Sequence, residues 1–165
     1  MAARPSDRVR YRARISLLIK NPPQGNGGGI SEFEANAHWA KYVCVLVSGY
    51  IEQSVKEVLL EHSAKSAAPR VSSYVEKTWP VSKNMACSAI FEVLGHFDTR
   101  WSEKFTAWVD EKEERKKEIN EIVAWRNSIA HGKESSTNNV TIGSVSTKFK
   151  SACELVDFLE ALSLE

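Results

Sequence analysis

Residues 31–63 read SEFEANAHWAKYVCVLVSGYIEQSVKEVLLEHS, and this stretch decides the fold. Ser31 followed three residues later by Glu34 is a capping-box pattern, in which the serine and glutamate side chains satisfy backbone N–H groups that the first helical turn leaves open. Trp39, Val43, Leu46, Val47, Tyr50, Ile51, Val55, Val58 and Leu59 then recur at steps of three and four, the spacing that lines one face of a helix. No proline interrupts the run. The pattern predicts one helix to about residue 63, long enough to be the spine around which shorter helices pack.

Working outward, residues 6 to 20 form a first helix with Ile15, Leu18 and Ile19 on one side, and Asn21-Pro22-Pro23 stops it. Gln24 to Gly29 holds four glycines and reads as a flexible connection. Downstream, Pro69 suits the first turn of a short helix to Thr78, and Pro80 ends it. Ser82 is placed to cap the next helix, whose apolar side is Met85, Ile90, Phe91 and Leu94, up to Gly95. Asp98 caps a further helical stretch, where Trp101, Phe105 and Trp108 continue the core. From 110 to 121 the chain is charged, but Glu111 with Arg115 and Glu113 with Lys117 stand one helical turn apart, as on a solvated helix. Ile119, Ile122, Trp125 and Ile129 restore the apolar stripe, and Gly132 ends it. Lys133 to Asn139 is a polar turn, and Phe149, Cys153, Val156, Phe158 and Leu159 define a last helix over about 145–162. Val140 to Ile142 is β-like, but a lone short strand has nothing to pair with. The expected fold is all-α: a bundle of about five to six helices with one long spine, organised as a basic N-terminal helix and Gly-rich loop (1–30) joined to a helical domain (31–165).

Composition narrows the function by exclusion. The 165 residues are 42% hydrophobic, enough for one continuous core. The 22 basic and 21 acidic side chains nearly cancel, so no global field selects a polyanion. Locally, Arg4, Arg8, Arg10, Arg12, Arg14 and Lys20 face only Asp7 within the first 20 residues. That segment is either a phosphate-contacting arm or a solvated helix, since only Tyr11 is available there to stack on a base. It has a superficial likeness to a transit peptide, but the glycines after it read as a loop rather than a cleavage site. Cys44, Cys87 and Cys153 lack the paired spacing of zinc or redox sites and read as small buried hydrophobes. No apolar run approaches the roughly 20 residues a membrane crossing needs, and no signal-peptide pattern is present, so the expected location is cytoplasmic. There is no phosphate-binding Gly-Lys-Ser/Thr loop and no nucleophile motif. His38, His62 and His96 fall in separate segments, giving no expected metal site and no expected cofactor.

Trp125-Arg126-Asn127-Ser128-Ile129-Ala130-His131-Gly132 is where reactive groups interrupt a core-facing helix. A guanidinium at the edge of an apolar stripe needs either an acidic partner or a groove open to anions, and it can hold phosphate with two parallel bonds. His131 lies five residues on, about 140° around the helix and roughly 7.5 Å along it. The two side chains therefore do not stack. Asn127, four residues before His131, shares its face and is placed to orient the imidazole. Histidine is the side chain whose ordinary chemistry suits proton transfer near neutral pH. The alternative stays open at this level: His-Gly is a good helix end, and Arg126 can simply pair with a carboxylate of another helix.

The arginine-to-histidine spacing, with polar Asn127 directly after the arginine and its place before the final helix, resembles the signature of the HEPN superfamily. The segment Leu46-Val47-Ser48-Gly49-Tyr50-Ile51-Glu52 and the phrase Arg-Asn-Ser-Ile-Ala-His-Gly resemble its RiboL-PSP-HEPN branch, with the likeness covering about residues 30 to 162. The resemblance implies a metal-independent endoribonuclease acting as a two-fold dimer, with Arg126 and His131 of both subunits as catalytic residues in one cleft. Asn127 is expected to support them and Glu52 is a candidate spine-helix partner for Arg126, while Arg8, Arg10, Arg12, Arg14 and Lys133 are expected RNA contacts, the first four lying outside the resemblance. Family habit adds a bacterial toxin or anti-phage setting and an antitoxin or regulatory protein as partner. The competing expectations are a non-catalytic HEPN-like module that dimerises or binds RNA or nucleotides, and a helical scaffold for other proteins.

Overall fold

The computed structural model describes residues 6–24, 31–80 and 84–165. Arg4, the glycines 25–29 and the cap expected at Ser82 lie outside the described residues. The elements are α1 (Asp7–Lys20), α2 (Glu32–Ser66), α3 (Pro69–Thr78), α4 (Cys87–Phe97), α5 (Thr99–Asp110), α6 (Glu113–Ala130), a 3-10 turn (Glu134–Ser136) and α7 (Ile142–Leu162). Among the described residues there is no strand, and no helix is long and apolar enough to cross a membrane.

The spine begins where expected. The Ser31 hydroxyl accepts from the Glu34 N–H at 3.2 Å while the Glu34 carboxylate accepts from the Ser31 N–H at 3.2 Å. One helix more than expected arises because the stretch 98–131 is two helices. Lys112 is extended (φ −142°, ψ 106°), and Arg115 folds back over the break, donating to the Trp108 carbonyl at 2.6 Å and lying 4.2 Å from the centre of its ring. The Glu111–Arg115 pair forms at 2.8 Å across this junction rather than along one helix, and among the described residues no ion pair joins Glu113 to Lys117. Val140 to Ile142 is the start of α7: Thr141 caps it by a reciprocal exchange with Ser144, and Val140 is buried beneath it.

Six contacts fix the packing of α2, α6 and α7. Tyr50 meets the Phe149 ring at 5.8 Å, and the His62 Nδ1–H donates to the Ser163 carbonyl at 3.1 Å, so α7 runs parallel to α2. Arg115 pairs with Glu154, Glu118 accepts from Ser151, and Lys148 pairs with Glu121, so α6 runs antiparallel to α7. Hence α6 is antiparallel to α2, and the Cys44 thiol against the Ile122 carbonyl (3.9 Å) marks their register. Val43, Val47, Ile51, Ile119, Ile122, Leu155 and Leu159 fill the space between them, each worth about 1.5–3 kcal/mol of burial.

The first helix contributes one fully buried side chain, Ile15. Tyr11, Leu18 and Ile19 pack at the edge of the core, and polar contacts add to this attachment. Tyr11 lies edge-on to Tyr50 at 6.1 Å and crosses α2 at Gly49, where a Cβ would come within 3.0 Å of its hydroxyl. The Trp39 indole N–H donates to the Leu18 carbonyl at 3.0 Å. Arg8 is clamped by Glu57, Glu61 and Glu160, and Arg12 by Asp157.

Candidate functional site

The last turn of α6 ends in a complete two-bond closure. Gly132 N–H donates to Ile129 C=O at 3.1 Å and Lys133 N–H to Ser128 C=O at 2.9 Å, with Gly132 at φ 66°. This left-handed turn, which a side chain disfavours, takes up two of the carbonyls a helix end leaves open. It sets His131 as the terminal residue, exposed, with its own N–H on the Asn127 carbonyl. Among the described residues no hydrogen-bond partner engages the imidazole.

Arg126 sits half-buried one turn beyond Ile122. Its guanidinium donates to the Asn127 side-chain oxygen at 3.2 Å, and no carboxylate among the described residues lies within ion-pair distance. The other arginines withdrawn from solvent are all neutralised: Arg115 by Glu111 and Glu154, Arg8 by three glutamates, Arg12 by Asp157. Burial opposes the charge of Arg8, and the bonds it donates to Glu61 and Glu160 more than offset this and raise its pKa. A guanidinium kept partly out of water without such a partner retains its capacity for an external anion.

The expected supporting residues separate into two groups. Asn127 is in place, but its amide oxygen serves Arg126 rather than the imidazole. Glu52 is not brought to Arg126. From the Cys44–Ile122 register, Arg126 lies one turn toward the start of α2, whereas Glu52 lies two turns toward its end, roughly 18 Å apart along the axis. Glu52 is half-buried and is not without a partner.

Of the expected RNA contacts, Lys133 is exposed directly after the turn. Arg8 and Arg12 are committed to tying α1 onto α2 and α7, Arg10 pairs with Asp7 in its own helix, and Arg14 donates to the Tyr42 hydroxyl at 3.3 Å. Two of these arginines thus serve the attachment of the first helix, because α2 and α7 present carboxylates to Arg8 and Arg12.

Sequence reasoning missed Lys148. It is buried under α6, pairing with Glu121 at 2.8 Å and lying 4.4 Å from the centre of the Trp125 ring. It pins the residue that precedes Arg126, and nothing in the spacing of α7 distinguishes it from a solvated lysine. The three thiols are buried, as their isolation implied, and burial pushes Cys44 up to about 12 and Cys87 to about 11. Among the described residues no group of three or more His, Cys, Asp and Glu side chains is placed to hold a metal ion.

The all-α bundle, with Arg126 and His131 at the end of the helix before last, has the layout that the resemblance to HEPN domains implied. A family model described as RiboL-PSP-HEPN matches residues 9–163, and the chain belongs to that family. The match takes in most of α1, which the sequence resemblance had left outside. Comparison with curated proteins and with solved structures gives no match. Membership points to a nuclease or RNA-related function in general.

Proposed function

We propose that the protein is an endoribonuclease that needs no metal and that works as a two-fold dimer, with Arg126 and His131 of both subunits around one scissile phosphate. The observation that carries this is Arg126: the one arginine withdrawn from solvent, among the described residues, that no carboxylate neutralises.

Cleavage by internal attack needs three things. A base must take the proton of the ribose 2′-hydroxyl as its oxygen bonds to phosphorus. An acid must protonate the departing 5′-oxygen, and positive charge must stabilise the five-coordinate phosphorane. One histidine cannot be base and acid in the same step, whereas two related by the dimer axis divide the work. In this scheme one His131 accepts the 2′ proton and the other supplies the 5′ proton. The Arg126 pair holds the non-bridging oxygens, and Asn127 fixes the guanidinium in place. The products are a 2′,3′-cyclic phosphate and a free 5′-hydroxyl. The same scheme would serve a bacterial toxin or an anti-phage effector restrained by a regulatory protein.

The test is cleavage of single-stranded RNA in excess chelator, with end-group analysis of the products. Arg126→Ala and His131→Ala are each expected to lower the rate at least about 100-fold while the fold is retained. Mixing separates a composite site from a self-sufficient one. A fixed amount of wild type keeps about half its activity with an equal amount of His131→Ala, and about one fifth with a fourfold excess, when both imidazoles are required. Undiminished activity in the mixture removes the composite cleft. RNA binding without cleavage by the wild type replaces the enzyme with a binding module.

A further inference from the structure

At the other end of α2 from Arg126, α3 stands away from α4 and leaves a groove of about 650 Å³. Val71, Tyr74 and Thr78 of α3 form one wall, Val93 and Phe97 of α4 the other, and His62 of α2 lies in the floor. None of the side chains of α3 is buried, and Val71 and Tyr74 are 53% and 68% exposed. A helix with an ordered apolar stripe and no buried residue is amphipathic with one face unpartnered. The stripe Val71, Tyr74, Val75, Thr78 has steps of three, four and seven and spans about 10 Å, two turns of helix. This is the pattern by which one helix seats another.

The charges along the stripe say which kind of helix. On a helical wheel Arg70 and Lys77 fall together on one flank of it, about 10 Å apart, while Ser72 occupies the other flank and Glu76 the far side. Both cations are exposed and neither has an ion-pair partner among the described residues. In an antiparallel two-fold pairing of α3 with a second copy of itself, Arg70 and Lys77 would face the same two cations, and in a parallel one they would face the uncharged Ser72 flank. Self-pairing therefore gives these cations no opposite charge, whereas a row of carboxylates does. We propose that this groove seats an amphipathic helix of a different protein, one whose apolar stripe is bordered on one side by acidic residues. The partner's apolar side chains enter beside Tyr74, and its carboxylates lie along Arg70 and Lys77.

Two synthetic helical peptides of roughly 16 residues with the same leucine stripe test this, one bordered by glutamates and one by lysines, with binding read by fluorescence anisotropy. The glutamate peptide is expected to bind at least about 10-fold more tightly than the lysine peptide, and Tyr74→Asp to lose at least about 10-fold. The double variant Arg70→Glu with Lys77→Glu is expected to reverse the preference; all its changes are on exposed positions, and circular dichroism confirms the fold. Equal binding of the two peptides, no binding of either, unchanged binding by Tyr74→Asp, or a preference that survives the double reversal overturns the proposal. So does sedimentation in which Tyr74→Asp converts a dimer to a monomer, which would give the face to a second copy of this chain.

Discussion

Replacing Arg126 and Arg115 separately by alanine distinguishes an arginine kept for a ligand from one kept for the fold. The Arg115 side chain is 9% exposed and bonds Glu154 at 3.2 Å, Glu111 at 2.8 Å and the Trp108 carbonyl at 2.6 Å, with its guanidinium over the Trp108 ring. Glu111 and Glu154 are themselves 69% and 45% exposed and rehydrate when the arginine is removed, which lowers the cost of losing them. The carbonyl and the ring contact do not recover in that way. Together these losses come to roughly 2–3 kcal/mol. Arg126 has one bond, at 3.2 Å, to its own neighbour, and its removal costs at most about 0.5 kcal/mol. With a urea slope of about 2 kcal/mol/M, Arg115→Ala moves the unfolding midpoint down by about 1–1.5 M and Arg126→Ala by about 0.25 M or less. Tryptophan fluorescence follows both transitions, and RNA cleavage on the same samples completes the comparison. A loss of midpoint by Arg126→Ala as large as that of Arg115→Ala would show that Arg126 holds the bundle together, and the argument from its missing carboxylate would fail.

Three other outcomes are expected. Arg8→Ala leaves Glu57, Glu61 and Glu160 facing one another without their cation, so amide exchange in α1 accelerates about tenfold, and high salt reproduces part of the effect in the wild type. Gly132→Ala places a Cβ at φ 66° with open space around it, costing about 1 kcal/mol of backbone strain and lowering Tm by about 2–4 °C; an unchanged Tm contradicts the turn. The native thiols resist alkylation at pH 8, because burial holds Cys44 near about 12 and Cys87 near about 11 and raises Cys153 also, and urea makes all three reactive. Since the folded state retains protons that the unfolded chain releases above about pH 9, the stability of the fold falls as pH rises beyond that point.

Helix positions were legible wherever a local signal sufficed. Ser31 and Glu34, Pro69, Asp98 and Gly132 each act within a few residues of themselves, and each marks the element end that the sequence implies. The break at Lys112 was not legible, because Glu111 and Arg115 have the spacing of a continuous helix and pair in either geometry. What bends the chain is the Trp108 carbonyl and ring accepting Arg115, and that depends on packing rather than on periodicity. The basic first segment shows the same limit. A run of arginines has one appearance in sequence whether it awaits phosphate or meets Glu57, Glu61, Glu160 and Asp157, residues at least 45 positions away.

The candidate site reverses that relation. Arg126 and Arg8 are equivalent as letters, each beside an apolar stripe and each in need of an anion. The fold supplies carboxylates to Arg8 from two other helices and supplies Arg126 with an amide only. What marks Arg126 is thus something the surroundings withhold, which no spacing rule encodes and which becomes visible once every neighbouring carboxylate has been placed. Residues that serve the fold have their charges answered inside it. A half-buried guanidinium that no carboxylate among the described residues answers, with an exposed imidazole five residues on, is what the proposed cleft requires if its anion comes from another molecule.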